Sequence, residues 1–282
     1  MKKLLCLCVV LALAGSAPAA QSYWKNIAAG DWETTTNWTS SPTSSNTAYP
    51  YRSDGGASVI TVTSTTAIAY KLYVVGAGTY PATATDATLE INNGAMLSIT
   101  RDVFQYSTVA GSKSTITIKA GGTLNALTAG TAYNWVMTGN LADTKSTDTV
   151  NVYGTLNLGT AWSGGGGTAA ILKLGDNSAS TGLATLNIYN GGVVTSNGYS
   201  IGTKTPNRIK IELGGYMWIN SNRTAYVKAD VDAGKILVLG DGTLEYGYDT
   251  VKNMTWITVT PEPATVALLG MGALLLCVKR KR

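Results

Sequence analysis

Two pairs of acidic residues stand at spacings that would place both carboxylates on one face of a strand: Asp230 with Asp232, and Asp241 with Glu245. A carboxylate pair at a defined separation is what glycosidic hydrolysis requires. Neither pair has further catalytic polar groups beside it, so both read as solvated carboxylates on an outer face. The chain has no His, which removes Ser-His-Asp and Cys-His nucleophile systems and His-based metal sites. Asp230-x-Asp232 is too sparse for calcium, and the Gly-rich calcium nonapeptide is absent. The run Gly165-Gly166-Gly167 lacks the Lys-Ser/Thr ending of a phosphate loop. The expectation is a protein that is not an enzyme, with no catalytic residue, metal or cofactor.

The aromatic residues are the positive hint of ligand contact. Seven Trp and fifteen Tyr supply flat, amphipathic surfaces suited to sugar rings. Trp24, Trp32 and Trp38 are the candidate glycan contacts. The competing reading packs aromatics into a cap and core, or stacks tyrosines as ladders on a sheet face. Asn37-Trp38-Thr39, Asn222-Arg223-Thr224 and Asn253-Met254-Thr255 match the N-glycosylation pattern, which an Asn- and Thr-rich chain also makes by chance.

The two ends differ from everything between them. Residues 1–19 have a basic start (Lys2, Lys3), an apolar run from Leu4 to Ala14 and a small-residue close at Ala17-Pro18-Ala19, the pattern of a cleavable signal peptide. At the other end, an apolar segment from Ala264 to Val278 lies between Pro261-Glu262-Pro263 and a basic stop, Lys279-Arg280-Lys281-Arg282. It is just under the usual bilayer-spanning length and has no polar face, so it reads as a short or transient apolar helical anchor with its basic end cytoplasmic. Of 21 Lys and Arg, two lie in the leader and four in the tail; of 16 acids only Glu262 is lost with them. The region between is therefore neutral, and nucleic acid is not an expected partner. Cys6, Cys8 and Cys277 all fall in the end segments, which leaves that region without a disulfide or thiol.

Short alternating segments broken by Gly fill most of that region, and amphipathic helical periodicity is absent. A frame recurs: two alternating strands around a Gly corner. It reads Leu89–Ile91, Gly94, Met96–Ile99; then Ile116–Ile118, Gly121-Gly122, Leu124; then, shortened, Val150–Val152, Gly154, Leu156. It returns at Leu186–Ile188 with Gly191-Gly192, at Ile209–Ile211 with Gly214-Gly215, and weakly from Val231 to Leu239 with Gly234. Strand pairs this short bury their apolar face only by stacking on one another. The expected fold is all-β, a parallel β-helix, with an N-terminal cap; a β-sandwich uses the same strands and turns and is the alternative. The boundaries are 1–19 for the signal peptide, 20–57 for a cap, 58–258 for the Gly-cornered repeats and 259–282 for the tail. Ser163–Thr168 is an expected loop leaving the stack.

The order Pro261-Glu262-Pro263, apolar run, basic stop resembles the PEP-CTERM sorting signal. That resemblance implies export, recognition by an exosortase, cleavage near the motif and delivery to the cell surface or an exopolysaccharide matrix. A looser similarity, carried by Trp24, Gly30-Asp31-Trp32 and Asn37-Trp38 followed by Gly-cornered repeats, is to autotransporter-type β-helix passenger proteins. The sequence departs from that pattern at Asn46-Thr47-Ala48, where an Asp-Thr strand is expected. The functional expectation is an exported surface or matrix protein, structural or adhesive, in contact with exopolysaccharide and held transiently in the inner membrane. A polysaccharide-binding or polysaccharide-degrading β-helix is the alternative.

Overall fold

Period-two alternation of β-branched and leucine side chains with Thr and Asn favours strands that bury one face. The structure, a computed structural model, describes residues 20–25, 27–52, 54, 56–75, 86–105, 107, 109–126, 135–137, 146–159, 172–175, 182–202 and 207–262. Residues 1–19, expected as a signal peptide, residues 163–168, expected as a loop, and Pro263 with the tail beyond it lie outside those residues.

The strands form three sheets, and they are numbered in chain order. The first holds β1 (Gln21–Tyr23), β3 (Thr47–Tyr49), β6 (Lys71–Val75), β9 (Val103–Gln105), β12 (Trp135–Met137), β15 (Leu172–Leu174) and β18 (Tyr199–Ile201). The second holds β2 (Ala29–Asp31), β4 (Ser58–Val62), β7 (Asp86–Ile91), β10 (Lys113–Ile118), β13 (Thr147–Val152), β16 (Leu183–Ile188), β19 (Arg208–Ile211) and β21 (Ile236–Val238). The third runs β5 (Ala67–Ala69), β8 (Met96–Ile99), β11 (Thr123–Ala126), β14 (Thr155–Asn157), β17 (Val193–Ser196), β20 (Tyr216–Asn220), β23 (Met254–Thr260) and β22 (Thr243–Asp249). From β3 to β20 the chain visits first, second and third sheet in unvarying rotation, and each strand pairs in parallel with its counterpart one round later. The molecule is thus mostly β and built on parallel sheets; among the described strands, antiparallel pairing enters with β23, which lies between β20 and β22.

Parallel register turns the frame into columns. Ile60, Leu89, Ile116, Val150, Leu186 and Ile209 align down the second sheet, all with no exposed surface. Leu97, Leu124, Leu156, Val194 and Met217 do the same in the third. Each buried aliphatic side chain contributes roughly 1.5–3 kcal/mol.

The corner between second and third sheets asks two things of its glycines. Gly191 takes φ 78°, open to Gly at little cost. Gly192 has an ordinary φ, but a Cβ there would stand 2.1 Å from the Val152 carbonyl oxygen one round below. The shortened copy keeps only the second requirement: a Cβ on Gly154 would meet the Gly122 oxygen at 2.3 Å.

The last copy of the frame is a correction. Thr224–Asp232 is a helix, α1, and only Ile236–Val238 of that copy joins a sheet. Alternation there lasts three residues, whereas Val227 and Asp230, three apart and both buried, define a helical face. This helix lies over the end of the first sheet, with Tyr226 edge-on to Tyr199 at 5.6 Å, and covers a terminus for which the sequence suggested no cap.

At the other end, β1 and β2 are the outermost strands of the first two sheets. The third sheet starts only at β5, and beside it an open cleft is lined by Trp32, Glu33, Ser41, Pro42 and Ser64 among others. The Glu33 carboxylate is occupied there, accepting from the Thr63 and Ser64 amides at 3.0 and 2.8 Å.

Candidate functional site

The Pro261-Glu262-Pro263 triplet of the sorting motif begins where the last strand ends. Thr260 closes β23, paired to Thr243, and Pro261 and Glu262 follow it, exposed and outside any element. Pro263 and the basic stop Lys279–Arg282 lie outside the described residues, as does the apolar segment Ala264–Val278. Among the described residues no helix is long and apolar enough to cross a membrane.

Trp24, Trp32 and Trp38 are not a glycan platform. All three are buried, with 2, 4 and 1 % exposure, and Trp32 alone reaches the wall of the open cleft. Trp38 meets Trp24 and Trp32 edge-on at 5.1 and 4.9 Å, the packing that ring quadrupoles favour. Their indole N–H groups are satisfied internally, Trp38 Nε1 donating to Trp32 O at 2.8 Å and Trp24 Nε1 to Ile27 O at 2.9 Å. Gly30 belongs to the same knot, since a Cβ would lie 2.7 Å from Asn37 Nδ2 and 3.3 Å from the Trp24 ring. The spaced Gly-x-Trp and Asn-Trp residues are therefore packing partners.

The carboxylate pairs also come apart. Asp230 and Asp232 lie on α1, not on a strand. Asp230 is buried and pairs with Lys235 Nζ at 3.3 Å, while Asp232 is exposed and pairs with Lys228 at 2.7 Å. The outer-face reading fails for Asp230 because α1 turns it inward, towards Tyr199. Asp230 Oδ2 and Tyr199 Oη are both buried without a hydrogen-bond partner; burial first, and then the Asp230 charge, raise the Tyr199 pKa above the ordinary tyrosine range. Asp241 sits in a bend before β22, and Glu245 lies within that strand; both are exposed. Among the described residues no group of three or more His, Cys, Asp or Glu gathers in a metal-binding arrangement.

Sequence reasoning missed a buried polar knot between the first and second sheets. Asp148 has no exposed surface and accepts from Ser114 Oγ at 2.6 Å and Ser146 Oγ at 3.0 Å. Gln105 Nε2 donates to Ser114 Oγ at 3.1 Å. Asp148 occupies an inward position that holds Ser114 in the round before and Ala184 in the round after, with Ala87 one round further back. A charged residue in a column of small Ser and Ala residues was the signal available.

The outer faces carry aligned polar and aromatic columns. Thr88, Thr115, Thr149 and Thr185 form one, and Asn151 and Asn187 belong to the next, joined amide to amide at 2.9 Å. On the first sheet Tyr23, Tyr49, Tyr73 and Phe104 stack successively at 4.7, 5.2 and 4.7 Å. Burial, helped by neighbouring Tyr23 and Tyr73, pushes the Tyr49 hydroxyl up to about 12. Towards the C-terminal end of the third sheet one outer face gathers Tyr216, Trp218, Trp256 and Glu245. Tyr216 is 40 % exposed, its ring within 13° of parallel to that of Trp218. Lys252 Nζ stands 4.0 Å over Trp218, and the Trp256 ring covers Gly247, where a Cβ would approach it to 2.7 Å.

Residues 259–282 match the PEP-CTERM protein-sorting motif. The motif marks an exported, cell-envelope-associated protein sorted by an exosortase. No curated protein and no solved structure matches the chain.

Proposed function

We propose that the exported region is a β-solenoid displayed at the cell surface or in the exopolysaccharide matrix, structural or adhesive in role and without catalytic activity. The observation that carries this reading is the unvarying rotation through three parallel sheets, which generates in-register outer columns of Thr and Asn. That rotation also supports the likeness to autotransporter-type β-helices. A neutral surface of repeated hydroxyl and amide groups offers many weak contacts to a polysaccharide, which sum by multivalency. The apolar segment Ala264–Val278 would serve as the transient inner-membrane anchor before exosortase processing. Fractionation of cells into inner membrane, surface and extracted matrix, with intact-mass analysis of each form, tests this. Full-length chain confined to the inner membrane would overturn it.

A glycan-binding reading has its own support in the Tyr216, Trp218 and Trp256 face, where aromatic rings adjoin exposed carboxylate and ammonium groups. Polysaccharide co-sedimentation that weakens in Tyr216→Ala and Trp256→Ala would favour specific binding over diffuse adhesion. Polysaccharide turnover lost in Asp241→Asn or Glu245→Gln would sink the non-enzymatic reading.

A further inference from the structure

The match to the sorting motif begins at Val259, two residues inside a paired strand. β23 is the middle strand of three: Met254–Thr258 are paired to β20 on one side and to β22 on the other. Beyond Thr258 only β22 continues, pairing Leu244 with Val259 and Thr243 with Thr260. Val259 is buried at 2 % exposure. Gly242, with φ 128°, fits closely around this strand end; a Cβ on it would lie 2.5 Å from Val259 Cγ1 and 2.7 Å from Thr260 O. The motif therefore has no spacer. Three residues, Pro261 to Pro263, separate the sheet from the start of the apolar segment, a reach of about 10 Å when fully extended.

An enzyme that takes a peptide in extended form needs its backbone unpaired on at least one edge. It also needs room around the residues before the motif, and here those residues are sheet. We propose that the end of β23 is a gate on the sorting motif, so that the processing enzyme takes hold only after Val259 and Thr260 have left β22. Local openings of this kind cost less than global unfolding where a segment is held on one side only, and proteolysis then follows the open population. The gate would make the tail's removal sensitive to whether the last strand has docked. This inference rests on exosortase processing of the tail.

The test uses full-length chain in its host, following loss of the tail by pulse-chase and intact mass. A six-residue Gly-Ser spacer between Thr260 and Pro261 leaves every strand unchanged and should speed removal about tenfold, the gain expected if the open form is near a tenth of the wild-type population. Gly242→Val, which forces the strand end outward, should speed it in the same direction. The pair Thr243→Cys and Thr260→Cys, joined as a cross-strand disulfide within ordinary bridging distance, should hold the tail on until reductant is added. A spacer variant processed at or below the wild-type rate, with an unchanged melting curve, overturns the gate. Retention of the tail in both wild type and spacer variant overturns processing itself, and the gate with it.

Discussion

Asp230 illustrates how a single acid can leave one role and take up another. On α1 it pairs with Lys235, whose Nζ also donates to Ile201 O at 3.1 Å, so one ion pair joins the helix to the end of the first sheet. Asp230→Ala strands a half-buried ammonium and is expected to cost roughly 2–3 kcal/mol in urea denaturation. Asp241→Asn and Glu245→Gln, both at exposed positions, should stay within about 0.5 kcal/mol of the wild type. Tyr199 gives the same contact a pH signature. Its proton is retained in the folded state, while the unfolded chain releases it near pH 10. Its contribution is therefore intact below pH 10 and declines as pH rises beyond it. Urea midpoints measured from pH 8 upward should fall less steeply in Tyr199→Phe than in the wild type.

At the scale of elements, the glycine corner separates two costs that sequence alone lumps together. Gly192→Ala drives a Cβ into a backbone carbonyl and should cost roughly 3 kcal/mol or more. Gly94→Ala has the left-handed φ of 74° but open space around it, so about 1 kcal/mol is expected. Thermal melts of the two variants side by side would show the difference. These corners are also why two of the three sheets were legible beforehand: alternation on both sides of a Gly corner marks β7 with β8, β10 with β11 and β16 with β17. The first sheet was not legible, because most of its strands are three residues long and no Gly frame introduces them. Helix α1 escaped because Val231-Asp232-Ala233-Gly234 imitates the frame at the point where the helix ends. Of the candidate sites, the sorting tail could be read from residue order alone. The tryptophans could not, since a ring that binds sugar and a ring that fills a cap have the same composition and spacing.

For the whole molecule, the two ends of the stack carry the liabilities that the middle lacks. Unpaired strand edges invite other chains, and here the tryptophan knot lies at one end, with α1 and the β22–β23 hairpin at the other. Removing Ser221–Thr260 would bare β18, β19 and β20 together, and size-exclusion chromatography should then show soluble oligomers or loss of protein to aggregates. Between those ends the described strands of each round pair with those of the rounds before and after it, the nearest-neighbour pattern of stacked repeats. That locality makes length an adjustable quantity. A duplicated or deleted round would change the length of the stack while leaving its girth, its corners and both end covers as they are. Whatever the surface meets outside the cell, selection can tune its reach in steps of one strand spacing, about 4.8 Å, without redesigning a core.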